Sequence, residues 1–194
     1  MNLLVLIDGS PEASLASEFA ISLAAARHDD VIAQAMIDSD TALRLTGYRG
    51  HAGLCGSGVF LSAYEQIVAI LRSVCDTLVM SFTTRAEGRG LRVKSFVDTG
   101  NAETVLRDRI AEQHCVLVLP GTNSNQSLVS SFKFGCPIIV VMKPRGNSTE
   151  IAIVANDEWT EQLLTEIGQA FPDAPPIHLN NQDFRTGSTI SAAA

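Results

Sequence analysis

Runs of apolar residues alternate with amphipathic segments along most of the chain. Five aliphatic residues, Leu3 to Ile7, precede a carboxylate at Asp8, and an apolar run of this kind is typical of a strand buried on both faces. Similar apolar runs begin at Val31, Leu91, Cys115 and Pro137. Because segments with helical spacing separate these runs, the pattern predicts a parallel sheet with right-handed crossovers.

The residues around Asp8 carry signals for a turn followed by a helix. Ser10 is placed to cap a helix, and Pro11 suits a first helical position that needs no N–H donor. A longer apolar stripe at helical spacing runs from Tyr64 to Phe82. The carboxyl ends of parallel strands are where open α/β sheets bind ligands. The sequence therefore predicts Asp8 at such an edge.

The pattern begins again near the C-terminus. Ile151–Asn156 is strand-like, a helical face follows from Trp159, and Pro176–Leu179 resembles a short strand. This partial repeat is too short to bury a core, so we expect it to dock on the main domain or on a partner chain. The predicted fold is α/β, an open five-stranded parallel sheet with a C-terminal βαβ appendage. The predicted divisions are a main domain over 1–144, the appendage over 145–181 and a flexible tail over 182–194.

Composition narrows the range of partners. The formal net charge is −7, and the 14 Lys and Arg residues form no dense block, which disfavours nucleic-acid binding. No apolar run approaches the length of a membrane span, and no basic residue precedes the first one, so we expect a cytoplasmic protein without a membrane partner. The 4 cysteines show no C-x-x-C pairing and are interpreted as reduced thiols, buried at Cys75 and Cys115.

Four separate junctions resemble the universal stress protein family. They are L-L-V-L-I-D-G-S-P-E-A-S from Leu3, V-D-T-G-N-A-E-T-V-L-R from Val97, V-L-V-L-P-G-T from Val116 and C-P-I-I-V-V from Cys136. The resemblance covers residues 1–143, in the family's order. It implies a Rossmann-like sheet of the adenine-nucleotide α-hydrolase type, an association with the stress response, and a homodimer formed through the fifth strand.

The resemblance also implies a set of candidate nucleotide-binding residues, with a departure that weakens it. ATP-binding members follow the glycine that Gly121 matches with a second glycine three residues on, where this chain has Ser124. They then carry a Gly-Ser or Gly-Thr, which the sequence between Gly121 and Cys136 does not contain. The candidate residues that remain are Asp8, Gly9, Ser10, Gly121 and Thr122.

Losing backbone contacts to phosphates is costly. Two or three missing hydrogen bonds to a charged group remove roughly 4–6 kcal/mol of binding free energy. The leading hypothesis is therefore a non-catalytic module without a cofactor, which acts by self-association or by binding an unidentified protein partner. The alternative is an ATP-binding regulator whose phosphate loop is rebuilt from the polar side chains of Thr122–Ser127.

Three other patterns have weaker functional interpretations. The glycines of Gly53–Gly58 precede a helix, with Arg49 and His51 just upstream, and could bind an anion, although a flexible excursion over the sheet edge is the preferred interpretation. His51 and Cys55 could act as base and nucleophile or as metal ligands, but the partners that either role needs are missing nearby. Asp8 with Lys143 resembles part of a phosphoacceptor receiver site, without the paired acids after the first strand.

Overall fold

A computed structural model of the chain describes a continuous sheet flanked by helices. The residues that it describes are 2–46, 57–122, 124–125, 128, 135–142, 151–154, 159–170 and 177–179. The elements of this part, in chain order, are β1 (Asn2–Leu6), α1 (Pro11–Arg27), β2 (Asp30–Asp38), α2 (Ser39–Leu45), α3 (Ser57–Glu87), β3 (Val93–Gly100), α4 (Ala102–Gln113), β4 (Cys115–Pro120), β5 (Ile138–Val141), β6 (Ile151–Val154), α5 (Trp159–Ala170) and β7 (Ile177–Leu179).

The strands form one 7-stranded sheet in the order β3-β2-β1-β4-β5-β6-β7. The first five strands in this order pair in parallel, which confirms the predicted five-stranded parallel sheet. β6 runs antiparallel to β5, and β7 runs parallel to β6. The order reverses between β1 and β4, and such a reversal opens a crevice at the carboxyl ends of the two strands.

Side chains on each face of the sheet build a separate apolar core. One core joins residues of α1, α3 and α5 to the strands, with Phe19, Phe82 and Leu163 among its buried members. The other lies under α4 and includes Leu106 and Ile110. The central strands are buried on both faces, as their uninterrupted apolar runs predicted.

Helix ends follow the signals in the sequence. Ser10 caps α1 by accepting a hydrogen bond from the Ala13 N–H at 3.0 Å, and Pro11 occupies the first turn. Asn101 caps α4 in the same way through Thr104 N–H. His28 and His114 end their helices in the left-handed region, with φ of 57° and 48°.

Helix α3 departs from the expectation that no segment approaches the length of a membrane span. Within the described residues, Leu61–Glu87 is long and apolar enough to cross a membrane by length and composition alone. The helix packs Val79, Phe82 and Ala86 into the core, yet only 11% of its most apolar window is buried. Its amphipathic stripe faces the sheet, and much of its remaining surface is exposed.

The C-terminal elements cover the edge of β5. Ile138 pairs with Val154 and Val140 with Ala152, while Arg27 of α1 forms an ion pair with Glu166 of α5. The appendage therefore docks on the main sheet of its own chain. The homodimer through the fifth strand stays a prediction, and it requires β6 to leave that edge.

Three cysteines lie within the described residues, and all are free. Burial raises the pKa of the Cys115 thiol to about 11 and that of Cys136 to about 12. Burial also raises the pKa of Cys75, which is only half-buried on α3. The expectation of a reduced, buried thiol is confirmed for Cys115, whereas Cys75 is less buried than predicted.

Candidate functional site

The predicted site residues lie at the crevice where the strand order reverses. Asp8, Gly9 and Ser10 follow β1, and Gly121 and Thr122 follow β4, the strand that pairs with β1. Both loops therefore leave the sheet at the same edge, side by side. The structure thus brings the five candidate residues together.

Both carboxylate oxygens of Asp8 accept hydrogen bonds from the protein. Oδ1 accepts from the Ser10 N–H at 2.9 Å, which closes a tight turn after β1. Oδ2 accepts from the side-chain amide of Asn125 at 3.1 Å. The carboxylate is exposed, but its internal contacts hold it across the crevice towards the β4 side.

Asn125 is the residue that connects the two loops. Its Nδ2 donates to Asp8 and, at 3.1 Å, to the carbonyl of Pro120 at the end of β4. Its own backbone N–H donates to the Thr122 hydroxyl at 3.3 Å. Asn125 is only 7% exposed, so this bridge between the β1 and β4 loops is largely shielded from solvent.

The two glycines serve the packing of the crevice walls. Gly9 has φ of +74°, and a Cβ there would stand 3.1 Å from the Leu78 Cδ1 of α3. At Gly121 a Cβ would stand 2.8 Å from the Val141 carbonyl oxygen and 2.9 Å from the Met142 sulfur. Close approach of the β4 loop to β5 therefore suffices to require glycine at 121.

Several donors around the crevice already have partners. The Gly121 N–H donates to the Val141 carbonyl at 2.8 Å, the Ser10 N–H donates to Asp8, and the Ala13 N–H donates to the Ser10 hydroxyl. A phosphate would have to compete with these internal acceptors for each N–H group.

The other candidate sites are not brought together by the described residues. No group of three or more His, Cys, Asp or Glu in that part of the chain could hold a metal ion. Arg49, His51, Cys55 and Lys143 lie outside the described residues, as does most of the glycine-rich segment.

Sequence reasoning missed the role of Asn125. The polar run after Gly121 indicated that side chains there could form contacts, and Asn125 belongs to that run. Nothing in the spacing showed that the amide would point back to Asp8, because this contact depends on the pairing of β1 with β4.

No protein-family model matches the chain, and no curated protein matches it significantly. Solved structures do resemble it. A universal stress protein family structure from Burkholderia pseudomallei superposes with a TM-score of 0.51 at 20% identity, over 74% of this chain and 96% of that chain. A family member from Arabidopsis thaliana, solved with AMP bound, gives 0.51 at 11% identity over 76% and 94%.

A third similar structure, a hypothetical protein whose biochemical function was assigned from its structure, superposes with a TM-score of 0.58. Its identity is 13%, over 75% of this chain and 97% of that chain. At these identities the likeness establishes the fold. The predicted resemblance to universal stress proteins is therefore confirmed at the level of the α/β fold that these structures share.

Proposed function

We propose that this chain is a non-catalytic, universal-stress-protein-like module of the cytoplasm, which acts by binding itself or a protein partner. The observation that carries the proposal is the Asn125 bridge across the crevice, from Asp8 to Pro120. It occupies the place where an open α/β sheet of this kind offers its ligand site. An association with the stress response belongs to the proposal through the resemblance.

The hydrogen bonds already formed within the crevice support this function. Asp8 has both oxygens engaged, and the Gly121 N–H is bound to β5. A nucleotide would have to break these bonds before making its own, and leaving a buried amide such as that of Asn125 unpaired costs about 1–3 kcal/mol. The bridge therefore works against nucleotide binding, in addition to the missing glycines.

The charge of the described crevice points the same way. The described donors to Asp8 are a backbone N–H and a neutral amide, and neither brings a positive charge to the crevice. Phosphates are stabilised by cations and by free N–H groups. The described crevice offers a carboxylate and N–H groups that are already hydrogen-bonded, so these groups provide a phosphate with neither a cation nor a free N–H group.

The test is a calorimetric titration of the purified, nucleotide-stripped protein with Mg-ATP and, separately, with AMP. We expect no binding heat up to millimolar ligand. Micromolar binding of either nucleotide by the unaltered protein would contradict the proposal. An Asn125→Ala variant is titrated beside it, with Ser124→Ala as the matched control, because Ser124 is an exposed neighbour of Asn125.

The second candidate is an adenine-nucleotide-binding regulator. The AMP bound to the Arabidopsis structure favours it, because that protein shares the fold of this chain. For this alternative, the bridge must open: the Asn125→Ala variant would then bind AMP more tightly than the unaltered protein. Equal absence of binding in both proteins would leave the association module.

A further inference from the structure

Strand β3 forms one end of the sheet. Within the described part of the chain it pairs with β2 alone. The Val31 N–H donates to the Arg92 carbonyl at 3.0 Å, so the backbone groups of Arg92 face β2. In a parallel ladder the N–H and C=O groups of every second residue face the same neighbouring strand. The backbone groups that face away from β2 belong to Val93, Ser95, Val97 and Thr99.

These outward groups have no backbone partner among the described residues. One side-chain contact reaches them: the Arg72 guanidinium donates to the Val97 carbonyl at 3.2 Å and to the Thr99 hydroxyl at 3.4 Å. An unpaired strand edge is a template for another strand. The side chains of β3 determine which strand can pair with this edge.

We propose that β3 pairs antiparallel with β3 of a second copy of this chain, about a two-fold axis at Phe96. This register sets Ser95 opposite Val97 of the other copy and Val93 opposite Thr99. Each of these is a hydrogen-bonded pair of an antiparallel ladder, so every outward N–H and C=O group of the four residues gains a backbone partner, and the Val97 carbonyl accepts from Arg72 as well.

The charges of β3 are self-complementary in this register. Lys94 of each copy lies opposite Asp98 of the other, and Phe96 lies opposite itself. These are non-hydrogen-bonded pairs, in which side chains approach most closely. Lys94 is exposed, and the Asp98 side chain is 39% exposed. Lys94 has one long contact, to Gln113 Oε1 at 3.5 Å, and the Asp98 side chain is partly exposed beside its ion pair with Arg109, so both can reach the other copy.

A rigid network holds the residues of this proposed interface. Arg109 donates to the Asp98 carboxylate at 3.0 Å and stacks over the Phe96 ring, with its guanidinium carbon 3.7 Å from the ring centre. Gln34, which is fully buried, donates to the same Asp98 oxygen at 3.1 Å. Because these contacts fix Asp98 and Phe96 in advance, dimerisation would order few additional side chains.

Helix α3 supplies the rest of the contact area. Strand pairing alone is small beside the roughly 800 Å² that each partner buries in a stable interface. α3 packs on β2 and β3, so the two-fold would place the two copies of α3 antiparallel on one face, ~10 Å apart, a normal helix-packing distance.

An open cleft already exists where the second helix would lie. It has a volume of about 470 Å³ between α3 and β3, and Arg72, Met80, Glu87 and Phe96 are among its lining residues. Met80 is 65% exposed, so its side chain is accessible to a second helix in this cleft. In the antiparallel arrangement the Arg72 end of one α3 approaches the Glu87 end of the other.

The proposed dimer rests on the self-association named in the proposed function and assigns it to β3 and α3. Its test measures the oligomeric state, whereas the test of the proposed function measures nucleotide binding, so the two can fail separately. The experiment is size-exclusion chromatography with light scattering across a range of protein concentrations. We expect the unaltered chain to form a dimer. Lys94→Glu places two like-charge pairs across the interface and should raise the dimer dissociation constant about tenfold or more.

Two controls keep the test specific. Arg107→Glu makes the same change of charge on α4, at an exposed position that pairs with Glu103, and should leave the dimer intact. Phe96→Cys should form a disulfide between two copies on mild oxidation, because residue 96 lies on the axis. Lys94→Cys should not, since its two copies are four residues out of register.

A monomer at all concentrations would overturn the proposal and leave partner binding as the proposed function. A dimer that Lys94→Glu does not weaken would also overturn it, and would place self-association on another surface. Circular dichroism of each variant shows whether the fold is retained. If Lys94→Glu does not fold, the Phe96→Cys and Lys94→Cys pair decides.

Discussion

β5 and β3 are the two outermost strands of the five-stranded parallel sheet, and each has backbone N–H and C=O groups on its outer side that need partners. The two strands meet this need in different ways. β5 is apolar and fully buried. The backbone groups of Ile138 and Val140 face β6, where these residues pair with Val154 and Ala152. β3 mixes polar and apolar residues, is largely half-buried or exposed, and ends the sheet within the described residues.

The difference shows what decides whether an edge needs cover. A continuous apolar edge left open would pair with any other chain, so it needs a permanent cover. β6 provides that cover within the chain. An edge with Lys94 and Asp98 can remain open in water, because its charges resist unselective pairing and leave self-complementary pairing as the favoured association.

Removing the cover of β5 should have the largest effect. Deleting residues 145–194 exposes an apolar edge, and we expect aggregation or a new dimer through β5. Light scattering of the soluble fraction measures this. Deleting 182–194 alone retains β6, α5 and β7 and serves as the control. A truncated protein that stays soluble and monomeric would contradict the role assigned to β6.

Matched valine truncations should separate the two edges in stability. Val140→Ala removes buried methyl groups from the apolar core under α4 and should lower the free energy of unfolding by about 2–3 kcal/mol. Val97→Ala, on the half-buried β3, should cost about 1 kcal/mol or less. Urea unfolding at low protein concentration measures both. Equal losses would show that Val140 and Val97 are equally buried in solution, against the contrast between the two strands.

Alkaline pH should destabilise the β4–β5 side of the sheet. The folded-state pKa of Cys115, about 11, lies above the unfolded value of about 8.5. The unfolded chain therefore loses this proton first, and stability falls as pH rises between the two values, by about 1.4 kcal/mol for each pH unit. Unfolding free energies from pH 8 upward should decline less steeply in Cys115→Ala.

The half-buried Cys75 on α3 provides the comparison for this pH effect. Its pKa is raised by weaker burial, so Cys75→Ala should change the slope less than Cys115→Ala does. A larger change at Cys75 would mean that α3, and not the β4–β5 side, encloses the more protected thiol.

The crevice bridge should make a modest contribution to stability. Asn125→Ala removes two hydrogen bonds from a buried amide, and we expect a loss of about 1 kcal/mol. Thermal unfolding of this variant beside Ser124→Ala measures the effect. Indistinguishable melting temperatures would show that the Asp8–Asn125 contact is not maintained in solution.

Local patterns predicted much of the fold because they act over a few residues. The apolar runs placed the five parallel strands, and Ser10 with Pro11 marked the start of α1 correctly. The short helix α2 was missed, since the Asp38-Ser39-Asp40 run resembles a turn as much as a helix start. Asp38 is its cap, and the Thr41 hydroxyl holds the pKa of Asp38 below its usual value.

Features that depend on pairing between distant segments were not predictable in the same way. The choice of β5 as the partner of β6, and its antiparallel direction, follows from the assembled sheet. The Asn125–Asp8 contact spans 117 residues of sequence, and the Arg109 network joins three elements. The polar residues were visible in the sequence, while their partners were fixed by topology.

Residue-resolved amide hydrogen exchange tests the contrast between the two edges most directly. The outward amides of Ile138 and Val140 should exchange slowly at every protein concentration, because β6 binds them. Those of Ser95 and Val97 should exchange rapidly in dilute protein and become protected as concentration rises. Rapid exchange at Ile138 and Val140, or unprotected Ser95 and Val97 in concentrated protein, would contradict a sheet closed at β5 and self-pairing at β3.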